Sequence, residues 1–427
     1  MARCHGLGHV GPVQPRGQKA RDVGVARAGG VDDGGRLGRH AVVRSRVAAK
    51  RVLRMGYVDA GGAQRHHDRA VREQLPAMLV QGHAIQRGDI VGTDALSQVA
   101  SQQGGVCLVL PVKGERAGGA GDGRGDDTQT EVGGAVKFRI SDTVLKHGNQ
   151  MTGSPVFSTD DSRILPEVAT GTLLTSNEIE GLELTAGRFT ALSSQVSTDR
   201  DTFALKSANI VGASYSFTDN FSGAIHASDV EDHFKKQYIN LNYNLPLADT
   251  QALNFDLNAY KTKDDGQELS GEVDNKIWSL AAAYSLGAHT FTLAHQRSSG
   301  DSAYAYGVDG GGTIWLANSV QFSDFDREDE RSWQARYDLN MAEYGVPGLS
   351  FMTRYIYGDN INTGAGEEGK EHEFNFETKY VIQEGAAKDL SFRVRSSIWR
   401  ANSVMNDEYS ADVNDFRLIV EYPLSVL

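Results

Sequence analysis

The last twelve residues of the chain alternate. Phe416, Leu418, Val420, Tyr422, Leu424 and Val426 fall on one face of an extended strand, and Arg417, Ile419, Glu421, Pro423 and Ser425 fall on the other. Successive side chains of a strand point to opposite faces, so this period of two predicts a β-strand with one apolar and one mainly polar side. The dyad recurs back to about Val136, and its apolar positions are rich in Phe, Tyr, Trp and Leu. A soluble sandwich also alternates, but it turns its large apolar side chains inward and seldom carries arginine in the middle of so many strands. The pattern fits strands with lipid on one face and water on the other, which is that of a transmembrane antiparallel β-barrel.

Composition changes near residue 131. Residues 1–130 hold 19 Lys+Arg against 12 Asp+Glu, and the remainder holds 24 against 43. Tyr57 is the only aromatic of the first 130 residues, while 34 lie beyond them. A segment so poor in large side chains lacks the material of a core, so residues 1–130 are expected to be irregular or disordered. Their Arg, Gly, Ala and Val bias, with three Lys, suggests a misassigned or out-of-frame segment; a basic arm is the alternative. A nucleic-acid partner is not expected, because no aromatics are interleaved for base stacking. Cys4 and Cys107 have no partner at metal-ligand spacing, and the adjacent His66 and His67 are weak as a zinc motif, so no metal or cofactor is expected. Met1 is not followed by the apolar core of a signal peptide, which points to a true start lying elsewhere. No run is long enough for a membrane-spanning helix.

Beyond residue 131, about 13–15 strands are expected. They include 136–140, a long loop over 146–171, and strands near 172–178, 182–193, 211–217, 239–245 and 253–257. Then come 278–286 and 289–296, joined by Gly287-Ala288, followed by 314–322, 333–339, 349–357, 374–382, 390–398 and 416–426. Short turns near 347–348 and 385 alternate with long polar loops over 299–312, 359–371 and 402–414, as expected of a barrel with a tight periplasmic rim and a looped outer rim.

The polar faces carry cations. Arg393 and Arg395 oppose Phe392 and Val394; Lys379 opposes Phe376 and Tyr380; Arg354 opposes Phe351 and Tyr355. Arg336 opposes Trp333 and Tyr337, Arg417 opposes Phe416 and Leu418, and Lys137 and Arg139 oppose Phe138. Eight cations from six strands converge on one water-filled bore, where a like-charged row focuses the field and concentrates anions such as carboxylates. Each taken alone could instead be paired with a carboxylate on the same faces, such as Asp338, Glu373, Glu377 or Glu421.

Many separate segments, among them VGGAVKFRISDTVLKHGNQ, DDSRILPEVATG, EIEGLELTAGRFT, WSLAAAYSLGAHTFTLAHQ, WLANSVQFSDF, SWQARYDLN and FRLIVEYPLSVL, resemble in order the OprD-type substrate-specific porins of Gram-negative bacteria. The resemblance runs over about residues 131–427. It implies an eighteen-stranded outer-membrane barrel, of which three to five strands have no counterpart in residues 1–130. It also implies an inward-folded third loop and a basic ladder that admits small carboxylate-bearing nutrients and sometimes carbapenems. By position, Arg163 resembles the arginine of the constriction loop, and Lys379, Arg393, Arg395 and Arg417 resemble the ladder. Asp324, and more loosely Tyr306, resemble the electronegative side of the eyelet. Where the family has an aspartate before the WLANS-like segment, this chain has Gly312 and Thr313, and the nearest aspartate is Asp309. The expected partners are outer-membrane lipid and small anionic or zwitterionic solutes, with the chain a monomer or a weak oligomer. A channel is expected, with no enzymatic constellation; the alternative is a non-conducting structural or adhesive barrel, or a truncated porin without function.

Overall fold

The computed structural model describes residues 106–109, 133–162, 166–364, 366–405 and 412–423. All of them belong to the compact unit Ala48–Leu427. In chain order the strands are β1 (Val106–Val109), β2 (Ala135–Ile140), β3 (Thr143–Gln150), β4 (Gly153–Ser154), β5 (Phe157–Ser158), β6 (Val168–Ile179), β7 (Leu182–Ser193), β8 (Ala208–Thr218) and β9 (Phe221–Val230). They continue with β10 (Phe234–Ala248), β11 (Gln251–Asp264), β12 (Asp274–Leu286), β13 (His289–Gly300), β14 (Arg331–Asn340), β15 (Leu349–Asn362), β16 (Glu368–Val381), β17 (Ser391–Ala401) and β18 (Val413–Glu421). Apart from the small β4–β5 hairpin, each strand pairs antiparallel with its neighbours in chain order, giving a sheet of sixteen strands. No helix among the described residues is long and apolar enough to cross a membrane, whereas β10, with 15 residues, exceeds the roughly 9–11 that a tilted strand needs.

The outward face is apolar and exposed, as the alternation requires: Phe374, Phe376, Tyr380, Phe392, Phe416 and Leu418 stand out from the wall. The inward face of the same strands is polar and buried, with Glu373, Asn375, Arg395, Ser397 and Arg417 each at 9% exposure or less. The two rims differ. On one, β2–β3, β6–β7, β8–β9, β10–β11 and β12–β13 are joined by two-residue turns; Gly287, at φ 54°, supplies the left-handed backbone that the last of these needs. On the other rim lie the connections 151–167, 194–207, 265–273 and 301–330. The second rim is the extracellular one by the usual asymmetry of outer-membrane barrels.

Three expectations change. The main sheet has sixteen strands rather than 13–15, because β1, β3 and β9 were not anticipated and 314–322 is not a strand. Gly223, Ala224, Ala227 and Ser228 mute the alternation of β9, while Lys146 and His147 obscure that of β3. The loop expected over 146–171 therefore shrinks to 151–167, and the one over 359–371 shrinks to 363–367 because β15 and β16 extend into it.

Segment 314–322 has the apolar content of a strand but is folded inward. Its backbone hydrogen bonds go sideways to the wall: Trp315 N–H donates to the Tyr260 hydroxyl at 3.0 Å, Ala317 N–H to Ser279 Oγ at 2.9 Å and Asn318 N–H to Gln296 Oε1 at 3.0 Å. Phe322 and Ser323 N–H groups donate to the two carboxylate oxygens of Glu373 at 3.0 and 2.8 Å. Lumen-facing side chains of β11, β12, β13 and β16 thus satisfy groups that a neighbouring strand would otherwise have satisfied.

Candidate functional site

Pairing register decides which inward side chains become neighbours, since residues directly opposite bring their Cβ atoms to about 5 Å. One row sets Arg336 against Arg354, Arg354 against Asn375 and Asn375 against Ser397. One pleat nearer the short-turn rim, Met352 opposes Glu377, Glu377 opposes Arg395 and Arg395 opposes Arg417. The next row sets Ser350 against Lys379 and Lys379 against Arg393. Arg336, Arg354, Lys379, Arg393, Arg395 and Arg417 therefore stand on one continuous wall across β14–β18.

Their electrostatic states differ. Arg336 is clamped by both oxygens of Asp338, with Nε at 2.7 Å and Nη2 at 2.6 Å. Arg395 Nε lies 2.9 Å from Glu377, and Arg417 Nε donates to Asp415 at 2.6 Å. Arg393 has looser partners, Glu377 at 3.8 Å and Glu421 at 3.9 Å. Arg354 and Lys379 have no carboxylate oxygen within 4.0 Å among the described residues. Arg354 is 3% exposed; its Nε donates to Asn375 Oδ1 at 2.6 Å, and its Nη2 is buried with no hydrogen-bond partner. A buried guanidinium donor left without a partner is costly.

Two inward connections of the long-loop rim grip each other. Ser158 N–H donates to Asp309 O at 3.0 Å and Gly312 N–H to Ser158 O at 3.0 Å. The Glu167 carboxylate accepts from Asp160 N–H at 2.8 Å and from Gly311 N–H at 2.9 Å, so it joins segment 151–167 to segment 301–330. Burial, opposed by those two hydrogen bonds, raises the Glu167 carboxyl to about 7. Phe157 stacks on Phe189 at 4.4 Å, and both belong to an apolar cluster with Leu192, Tyr238, Tyr260 and Ile314 that fills the lumen beside β7–β12. Within 301–330, the Tyr306 hydroxyl donates to Asp324 Oδ2 at 3.3 Å, and Ser319 Oγ donates to the other oxygen.

The structure therefore brings Tyr306 and Asp324 together, although Asp324 is nearly buried. Asp309 is not open to the bore: it is fully buried against Lys236, whose Nζ lies 2.6 Å from Oδ2 and 4.4 Å from the Tyr304 ring. Arg139 stands apart from the basic wall, for it donates to Ser141 O at 2.9 Å and to Asp142 at 3.0 Å in the β2–β3 turn, at the exposed rim. Lys137, on the same strand, opposes Lys146 of β3. Arg163 lies outside the described residues. Sequence reading missed Glu167 and Lys236. Lys236 sits between Phe234 and Tyr238 on a face where two aromatics point inward, an inversion of the dyad that could have flagged it.

A family model described as outer membrane porin, OprD family, matches residues 99–426. That match begins upstream of the compositional change at 131. Porin D of Pseudomonas aeruginosa is 48% identical over 334 residues, covering 72% of this chain and 75% of that protein. The crystal structure of P. aeruginosa OprD superposes with a TM-score of 0.64 at 49% identity, covering 71% of this chain and 82% of that one. That of P. aeruginosa OpdK with vanillate gives a TM-score of 0.66 at 31% identity, covering 76% and 89%. An antiparallel wall with lipid-facing aromatics, a lumen narrowed by inward loops and matches of this breadth lead to one conclusion: the chain belongs to the OprD family of outer-membrane porins, which are channels and not enzymes.

Proposed function

We propose that the chain passes small carboxylate-bearing solutes, amino acids and aromatic or other organic acids, with carbapenems in the same chemical class. The observation that carries this reading is Lys379, half-buried and without a carboxylate oxygen within 4.0 Å among the described residues, set against the loosely paired Arg393 and below the buried cation Arg354. Paired arginines such as Arg395 and Arg417 are buried in the wall, each against a carboxylate. Lys379 has no carboxylate oxygen within 4.0 Å among the described residues, and Arg354 is linked to Glu373 through Asn375. A carboxylate entering this lumen replaces part of its hydration with the half-buried Lys379 and Arg393, while the buried Arg354 one row beyond adds its charge through the wall. The solved relative OpdK holds vanillate, an aromatic carboxylate, which agrees with the solute class.

The test is flux through the 427-residue chain reconstituted in liposomes, with glutamate, arginine and a neutral sugar of similar size. Arg354→Gln combined with Lys379→Gln leaves the lipid face untouched, and it is expected to lower glutamate flux relative to the sugar by about tenfold, one charge-assisted hydrogen bond. Arg336→Gln is expected to do much less, since Asp338 already neutralises that cation. Unchanged relative rates in the double variant would reduce the wall to a sieve.

A further inference from the structure

We propose that the outward face of β11–β14, at its long-loop end, is a docking surface for phosphate-bearing lipid headgroups of the outer leaflet. On β12, β13 and β14 the outward residues change character in three steps toward that rim. β12 runs Leu280, Trp278, Lys276; β13 runs Leu293, His295, Arg297; β14 runs Ala335, Trp333, Arg331. β11 adds Lys261 at the same level. Four residues of strand span about 13 Å, so one strand passes from hydrocarbon through the aromatic interface to the headgroup layer within that distance.

Register turns the cations into a patch. Lys261 lies directly opposite Lys276, and Arg297 directly opposite Arg331. Lys276 and Arg297 are diagonal neighbours, because Lys276 opposes Ser299. All four are exposed. Arg331 has Asp359 at 2.5 Å, but Lys261, Lys276 and Arg297 have no carboxylate within 4.0 Å among the described residues. Like charges placed directly opposite destabilise a sheet, so the pairs do nothing for folding. A phosphate seated between them removes the repulsion. Below the patch, His295 stacks on Trp333 at 4.1 Å and lies 5.3 Å from Trp278, a platform for the glycerol or sugar portion of a headgroup.

The patch has no counterpart at the other rim. The outward positions at the short-turn ends of the same strands are Leu253, Tyr284, Phe291 and Tyr337, without lysine or arginine. Water bounds both membrane surfaces, so hydration alone would place cations at both ends. Their confinement to the outer end fits a leaflet whose headgroups carry dense negative charge, where each basic side chain near the surface adds attraction. Two cations within reach of one phosphate favour phosphomonoesters on a glycolipid over the single diester of a phospholipid.

The test uses the full chain in detergent, titrated with a bis-phosphorylated glycolipid, the same glycolipid after dephosphorylation, phosphatidylglycerol, and inorganic phosphate, with bound lipid counted by native mass spectrometry. The bis-phosphorylated lipid is expected to bind tightest. Lys261→Gln, Lys276→Gln and Arg297→Gln together are expected to weaken it by on the order of a hundredfold. Lys388→Gln, on a short-turn connection, is expected to leave it unchanged, as is the charge-preserving pair Lys261→Arg with Lys276→Arg. Sugar flux in liposomes confirms that the triple variant is folded. Equal binding of the dephosphorylated lipid, of phosphatidylglycerol or of inorganic phosphate would overturn the proposal, as would full retention by the triple variant.

Discussion

Lys236 and Asp309 meet where neither touches water, with side chains at 0% exposure and a separation of 2.6 Å. The pair fastens segment 301–330 to β10, and two rings, Phe234 at 5.0 Å and Tyr304 at 4.4 Å, cover the ammonium. Breaking such a pair leaves one charge buried alone. Lys236→Met is expected to lower stability by about 3–5 kcal/mol, whereas Lys236→Met with Asp309→Leu should recover most of it. Urea midpoints of the refolded barrel measure both, and a single variant as stable as the parent would show that water reaches Asp309. The same contrast between paired and open charge governs the basic wall, where Arg336 is clamped and Arg354 is not.

At the scale of elements, Glu167 adds a side-chain bridge between the two inward connections, beside the direct backbone bonds of Ser158 with Asp309 and Gly312. Its carboxyl sits at about 7 with the segments joined, against an ordinary value of 4.5, chiefly because of burial. The joined state therefore holds the proton more tightly than the separated one. Joining is strongest below about pH 4.5, weakens as pH rises toward 7, and is flat above that, a change of roughly 3 kcal/mol across the window. Asp160 and Asp309 face the same carboxyl and push in the same direction. Single-channel recordings are expected to show more frequent conductance fluctuations at pH 7.5 than at pH 5. Glu167→Gln should be quiet at both values, since an amide oxygen still accepts the two N–H bonds. Identical noise at the two pH values in the parent chain would remove Glu167 from the coupling.

For the whole molecule, the long-range effect of the bore is electrostatic and so depends on salt. The Debye length is about 10 Å at 0.1 M and about 3 Å at 1 M, comparable with a lumen and much less than one, respectively. Preference for glutamate over a neutral sugar should fall as salt rises over this range, while the rate for the sugar itself stays constant. Selectivity that holds at 1 M would place recognition in direct contacts at Lys379 and leave no role for the field of the wall. The outward patch at Lys261, Lys276 and Arg297 responds to salt as well, but through lipid binding and not through flux, so the two effects separate.

Strand identity was legible wherever large apolar residues alternate with polar ones, as in 239–245 and 390–398, because the period-two geometry of a strand is local. From the same alternation came the inward direction of Arg336, Arg354, Lys379, Arg393, Arg395 and Arg417, since facing follows from parity alone. Where the alternation is muted by small residues, as in β9, the signal disappeared although the strand did not. Segment 314–322 was read as a strand because its apolar residues need burial, but burial against the inner wall serves them as well as burial against lipid. The choice rested on distant side chains, Tyr260, Ser279, Gln296 and Glu373, standing ready to accept its N–H groups. In the same way, parity says that an arginine faces the lumen but not which carboxylate it meets there. That depends on register and rotamer across strands, which separated the clamped Arg336 from the open Arg354 and set the buried Asp309 against Lys236, 73 residues away in the chain.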